Sequence, residues 1–239
     1  MRIVHVLVGL CLSAGIAAAA PPAAAPAPLM PDAKVGGETF GNLTARWWQW
    51  AHHLPVVPYQ DPDGRFCELG QEGPVWFLAG TDGSFTARRE CVVPSGKYVL
   101  VPVINMVVRD SGDPEYARSS CAQLQASAAL NNDHLASAVV MLDGVRLADV
   151  ARYRVRSEGC FHVGRDEDSP LAAADGYWLL FEPLPPGRHH LVVGANYGAG
   201  DEDAGYGRMV QNFEYVLHVG GRIEHASMAP SASARTAGL

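Results

Sequence analysis

Trp48 and His52 stand four residues apart in the stretch RWWQWAHHLP, a spacing that puts both side chains on one face of a helix. An indole there is either a shield over the end of a sheet or, with His52, one wall of a cleft where a sugar or aromatic ligand stacks. Asn105 and Arg109 flank the end of a long apolar run, as satisfied turn groups or as ligand contacts. Arg152, Arg154 and Arg156 alternate with Tyr153 and Val155, and a period of two puts three guanidiniums on one face of a strand. Such a row is either a solvated face answered by Glu182 or Glu214 on neighbouring strands, or a seat for an anionic ligand. An acidic glycan or a phosphate would suit the second reading, because guanidinium binds oxyanions bidentately.

Metal chemistry is weakly represented. His52 and His53 are adjacent, so on a helix they point about 100° apart and do not naturally share an ion. Asp61-Pro62-Asp63-Gly64 is ordinary turn chemistry and lacks the later ligands of a calcium loop. Asp166-Glu167-Asp168 and Asp201-Glu202-Asp203 read as solvated loop tips. No metal site and no cofactor is expected. The chain has no Gly-x-Ser-x-Gly elbow, phosphate-binding glycine loop, dinucleotide fingerprint or His-Glu-x-x-His. Glu90, Glu182 and Glu214 are strand-borne carboxylates, but a glycosidase pair needs a separation of roughly 5–10 Å that only a fold can supply. No catalytic residue is assigned, and a noncatalytic role is favoured over an enzyme.

The elements that must hold these residues are mostly strands. Val75 to Leu78 is a short apolar run between Gly73-Pro74 and Gly80, which reads as a buried strand. Thr81 to Ser84 turns the chain, Phe85 to Val93 runs outward, and Pro94-Ser95-Gly96 turns it again. Lys97 to Val108 is the longest β-branched segment. Its Pro102 cannot donate to a ladder, so the strand lies at an edge or carries a bulge there. Asn42-Leu43-Thr44 offers caps for a helix from Thr44 to His53 that Pro55 stops, with Leu43, Trp47, Trp50 and Leu54 on its apolar face. A second helix is expected over 114–130, capped by Asp113 with Pro114 at its first position. His134 to Leu142 and Val145 to Leu147 pair through Asp143-Gly144, the best hairpin turn in the chain. Asp175-Gly176 opens a strand over Tyr177 to Glu182. Arg188 to Ala195 and Met209 to Val219 follow, an ending like that of an immunoglobulin-like sandwich.

Of the 239 residues, 48% are hydrophobic and 18% charged, which suits one domain with a real core. The net charge of −7 argues against nonspecific nucleic-acid binding, which needs a basic surface. Residues 1–20, with Arg2 before an apolar stretch and small residues at Ala17 to Ala19, read as a signal peptide; Cys11 lies inside it. No later run is long enough for a transmembrane helix. Residues 21–35 read as an Ala/Pro-rich tether, 36–220 as the domain, and 221–239 as a frayed tail. Cys67, Cys91, Cys121 and Cys160 remain, an even count that in an exported chain reads as two disulfides. Of three possible pairings, Cys67–Cys91 and Cys121–Cys160 are favoured, because each closes a loop between adjacent segments.

Four motifs read together: Trp47-Trp48-Gln49-Trp50, then GQEGPVWFLAGT, then Cys-Val-Val-Pro-Ser-Gly-Lys, and then Pro-Val-Ile-Asn. As a set they resemble a family of exported bacterial proteins of unassigned function, and the resemblance covers most of the mature chain. It implies export, to the periplasm or beyond, and no established activity or site residues. The expectation is a mainly β fold, an antiparallel β-sandwich of immunoglobulin-like or jelly-roll-like type with two peripheral helices. The expected role is a binding module for a glycan or cell-envelope ligand. The alternatives are a polysaccharide-acting hydrolase or lyase and a structural protein of the envelope. The sequence assigns no oligomeric state.

Overall fold

A computed structural model of the chain describes residues 26–113, 118–164, 168–198 and 208–221. The expected signal peptide, the acidic pair Asp166-Glu167, the loop Asp201 to Asp203 and residues 222–239 lie outside the described residues. In chain order the strands are β1 (Lys34–Val35), β2 (Glu38–Thr39), β3 (Val75–Phe77), β4 (Ala87–Val93), β5 (Tyr98–Arg109) and β6 (Leu135–Leu142). They continue with β7 (Val145–Arg146), β8 (Arg154–Arg156), β9 (Phe161–His162), β10 (Leu171–Phe181), β11 (Gly187–Tyr197) and β12 (Val210–Val219). The helices are α1 (Phe40–His53) and α2 (Cys121–Ala129).

The fold is mainly β, with two five-stranded sheets and a small β1–β2 hairpin among the described residues. One sheet runs β3-β5-β10-β8, with β9 also on β10; the other runs β4-β12-β11-β6-β7. Most pairs are antiparallel, but β3 is parallel to β5 and β4 is parallel to β12. Alternation builds two cores. Tyr177, Leu179 and Phe181 of β10 meet Phe213, Tyr215, Leu217 and Val219 of β12 in a core shared by both sheets. The opposite face of β10, with Ala174, Trp178 and Leu180, packs under α1 against Phe40, Leu43, Trp47 and Trp50. Because β10 is covered on both faces, nearly all of it is buried.

Several boundaries differ from expectation, each for a local reason. Helix α1 begins at Phe40, four residues before Thr44, because the Thr39 hydroxyl caps it by accepting from the Asn42 N–H at 3.2 Å. Helix α2 begins at Cys121 rather than 114. Ser120 and Gln123 form a capping box, with the Ser120 N–H donating to Gln123 Oε1 at 2.8 Å. Asp113 is not its cap, and Pro114 lies outside the described residues. Asp175 and Gly176 do not open a strand but sit inside β10, opposite Met106 and Asn105. Within the segment 21–35 expected as a tether, two residues pack on the fold: the Leu29 N–H donates to the Leu180 carbonyl at 2.8 Å, and Val35 is buried under α1.

Both favoured disulfides form, Cys67–Cys91 with Cα atoms 5.8 Å apart and Cys121–Cys160 with 5.7 Å. The Asp143-Gly144 turn has positive φ at both residues (52° and 78°), as a type I′ hairpin requires. Pro102 sits at a bulge: Tyr177 pairs with Ile104, and the next residue, Trp178, pairs with Pro102. That skip has a consequence for the site. Before the bulge, Val99, Val101 and Val103 face the shared core; after it, Ile104 and Met106 do. The bulge reverses the alternation and turns Asn105, Val107 and Arg109 toward α1.

Candidate functional site

Helix α1 is fixed over the sheet by its tryptophans. The Trp47 indole N–H donates to the Leu78 carbonyl at 2.7 Å, and the Trp50 N–H donates to the Leu69 carbonyl at 2.9 Å. Trp47 also meets Trp178 edge-on, with centroids 5.4 Å apart. With that face anchored, the flank carrying Trp48 and His52 opens onto the end of β5. There a cavity of about 220 Å³ is lined by Trp48, His52, Tyr59, Asn105 and Arg109, closed beneath by Gly80, Thr81 and Gln211 and rimmed by Asp82. Trp48 lies against Trp47 (4.9 Å), His52 (5.8 Å) and Tyr59 (6.1 Å).

The floor is held rigidly by buried polar groups. The Gln211 carboxamide reads Thr81 as a strand would: Oε1 accepts from the Thr81 N–H at 2.8 Å and its hydroxyl at 3.1 Å, and Nε2 donates to the Thr81 carbonyl at 2.6 Å. Beside it, buried Arg89 donates through Nη1 to the carbonyls of Ala79 (2.5 Å) and Gly80 (2.8 Å) and through Nε to the Asp61 carbonyl (2.7 Å). The wall at Asn105 depends on Gly176 opposite, where an added Cβ would stand 2.2 Å from the Asn105 Cβ.

The electrostatics of the cavity are specific. His52 Nδ1 lies 2.8 Å from the Trp48 carbonyl. A carbonyl only accepts, so Nδ1 carries the proton and Nε2 of the neutral ring offers a lone pair. Burial lowers the His52 pKa below 6.5; the Trp48 carbonyl opposes this, and the charge of Arg109 adds to the lowering. Burial raises the Tyr59 pKa, so its phenol stays protonated. Asp82 at the rim is held low by Ser84, whose hydroxyl donates to Oδ1 at 2.5 Å and whose N–H donates at 2.9 Å. Among the described residues the side chains of Asn105 and Arg109 make no hydrogen bond or ion pair with the chain, and the buried Trp48 N–H has no partner. The cavity thus presents an aromatic wall, a neutral acceptor, a carboxamide and a cation, all open to a ligand.

The structure brings together four of the seven ligand candidates, Trp48, His52, Asn105 and Arg109, and sends the other three elsewhere. Arg152 is not on the strand: it sits in the 3₁₀ turn Val150–Tyr153, its guanidinium 5.9 Å from the Tyr153 ring. Arg154 and Arg156 flank Asp175 rather than Glu182 or Glu214. Arg154 donates to it through Nε (2.9 Å) and Nη2 (2.8 Å), and Arg156 through Nε (2.8 Å). Sequence reasoning missed Tyr59, Thr81, Asp82 and Gln211. For Gln211 a signal exists, because it falls in phase with the inward Phe213 and Tyr215 of the closing strand.

A larger hollow of about 520 Å³ lies between the start of β6 and residues 146–151, but among the described residues it has no aromatic wall and no buried polar side chain. Among the described residues no cluster of His, Cys, Asp and Glu could hold a metal ion, and no helix is long and apolar enough to cross a membrane. Comparison with protein-family models, with curated proteins and with solved structures finds no match to this chain.

Proposed function

We propose that this protein is an exported, disulfide-stabilised β-sandwich that acts as a noncatalytic binding module and holds a glycan or cell-envelope fragment in the cavity between α1 and β5. One observation carries the reading. Trp48 and His52 from a helix, and Asn105 and Arg109 from a distant strand, line one cavity, and the two strand side chains are uncommitted among the described residues. Surface polar groups brought together and left unpaired against an aromatic wall are the usual make-up of a ligand pocket. At about 220 Å³ the cavity is smaller than the roughly 300–1,000 Å³ that encloses a drug-sized molecule, so it suits one ring or a chain end. The two disulfides fit an oxidising compartment, and the motif pattern's resemblance to exported bacterial proteins supports the same reading.

A thermal-shift screen of the oxidised protein against glycan fragments tests this, since a ligand of the native state raises the melting point by mass action. A rise that Asn105→Ala abolishes supports the proposal; a flat response to every glycan fragment removes it and favours a structural role in the envelope.

A polysaccharide-acting lyase or hydrolase is the second reading, favoured by Arg109 beside a neutral His52 in the same cavity. The His52 lone pair is a candidate base and the protonated Tyr59 a candidate acid. Product analysis after incubation with oligosaccharides separates the two readings: cleaved chains mean an enzyme, intact chains a binding module.

A further inference from the structure

We infer that the unit seated in this cavity is a carboxylate-bearing sugar ring, its carboxylate on Arg109 and Asn105 and a ring hydroxyl donating to His52 Nε2. The inference rests on the binding reading above and names its ligand class.

Charge is the first argument. Arg109 has no counter-ion among the described residues. Among the described residues Asp82 is the one acid lining the cavity; it is turned to Ser84 and forms no ion pair with Arg109. This differs from Arg154 and Arg156, whose guanidiniums are taken by Asp175, so the anion chemistry expected of the Arg152–Arg156 row belongs to Arg109 instead. A single guanidinium fork matches a planar carboxylate, whereas a phosphate with up to two charges calls for more donors than one Arg and one carboxamide.

The second argument concerns His52. Its Nδ1–H is spent on the Trp48 carbonyl, so the free Nε2 is an acceptor and repels an anion. The ligand must therefore present an anion at one end of the cavity and a hydroxyl donor at the other, on a scaffold no larger than one ring. The Trp48 indole beside His52 supplies an apolar wall for the C–H face of such a ring.

The test is calorimetric titration of the oxidised mature protein with D-galacturonate and D-glucuronate, matched by galactose, glucose and acetate. At least one uronate is expected to bind ten-fold or more tighter than its neutral counterpart and than acetate. Arg109 is exposed, so Arg109→Gln keeps the fold, checked by an unchanged melting point without sugar. It should lose roughly 10- to 100-fold in uronate affinity, the loss of one charge-assisted bidentate contact. Arg156→Ala should leave that affinity unchanged. Equal binding of neutral and acidic sugars overturns the carboxylate assignment while the binding reading stands. Equal binding of acetate overturns the sugar ring. Uronate affinity that survives Arg109→Gln overturns the seat, and silence from every probe overturns the binding reading and this inference together.

Discussion

Replacing Asp175 with Asn should be among the most damaging conservative changes in the molecule. The Asp175 side chain is 1% exposed and receives three hydrogen bonds from two arginines at 2.8–2.9 Å. Asparagine keeps the shape but removes the charge and turns an amide donor toward guanidinium donors. Breaking a buried ion pair costs roughly 3–5 kcal/mol. The lower end applies here, because Arg154 keeps Asp133 at 2.7 Å and Arg156 is 59% exposed and reaches water. The expected loss is about 3 kcal/mol, or a melting point roughly 6–12 °C lower for a chain of this size. Arg154→Ala should cost about 2–3 kcal/mol, since it strips the bidentate partner from a buried carboxylate. Arg156→Ala should cost less than about 1 kcal/mol as an exposed partner. Urea unfolding of the oxidised proteins, followed by tryptophan fluorescence, reads all three from the midpoints. A loss under about 1 kcal/mol for Asp175→Asn, or equal losses for the two arginines, would refute the view that Asp175 is the buried centre of the cluster.

Three further outcomes follow from the geometry. Because burial depresses the His52 pKa, the unfolded chain takes up a proton on this residue where the native state does not. Stability should therefore fall as pH drops from about 6.5 through the folded pKa and level off below it. Arg109 and His53 oppose that proton, and His52→Gln should flatten this part of the profile in pH-dependent urea titrations. Gly176→Ala should cost roughly 1–3 kcal/mol by overpacking and should also weaken binding in the cavity, because the new methyl group lands on the wall at Asn105. Its check is a melting curve together with a uronate titration. Cys67→Ser with Cys91→Ser should lose about 3–4 kcal/mol by freeing a 24-residue separation in the unfolded chain, read from the urea midpoint.

Much of this was legible from residue types alone. Alternation in Tyr177 to Phe181 and in Phe213 to Val219 gave the faces of two long strands, and loop adjacency was enough to favour both disulfides. Pro102 signalled an edge or a bulge, yet only the register of β5 against β10 reveals that the bulge turns Asn105 and Arg109 toward α1. Reading β5 with unbroken alternation would have buried both between the sheets. The arginine row misled because period two describes spacing and not partners. Arg152 falls in a turn, and Asp175, hidden inside an apolar strand next to Gly176, looked like turn chemistry. Tyr59 and Asp82 come from loops whose course depends on distant contacts, such as Arg89 holding the Ala79 and Gly80 carbonyls.

The most direct test of the central claim is a crystal structure of the oxidised protein soaked with D-galacturonate and D-glucuronate. The predicted result is one sugar ring between α1 and β5, its carboxylate within hydrogen-bond distance of Arg109 and a hydroxyl at His52 Nε2. A sugar bound at Arg152 to Arg156 or beside β6 with the cavity unoccupied, or an Arg109 guanidinium already paired with a carboxylate of the chain, would contradict it.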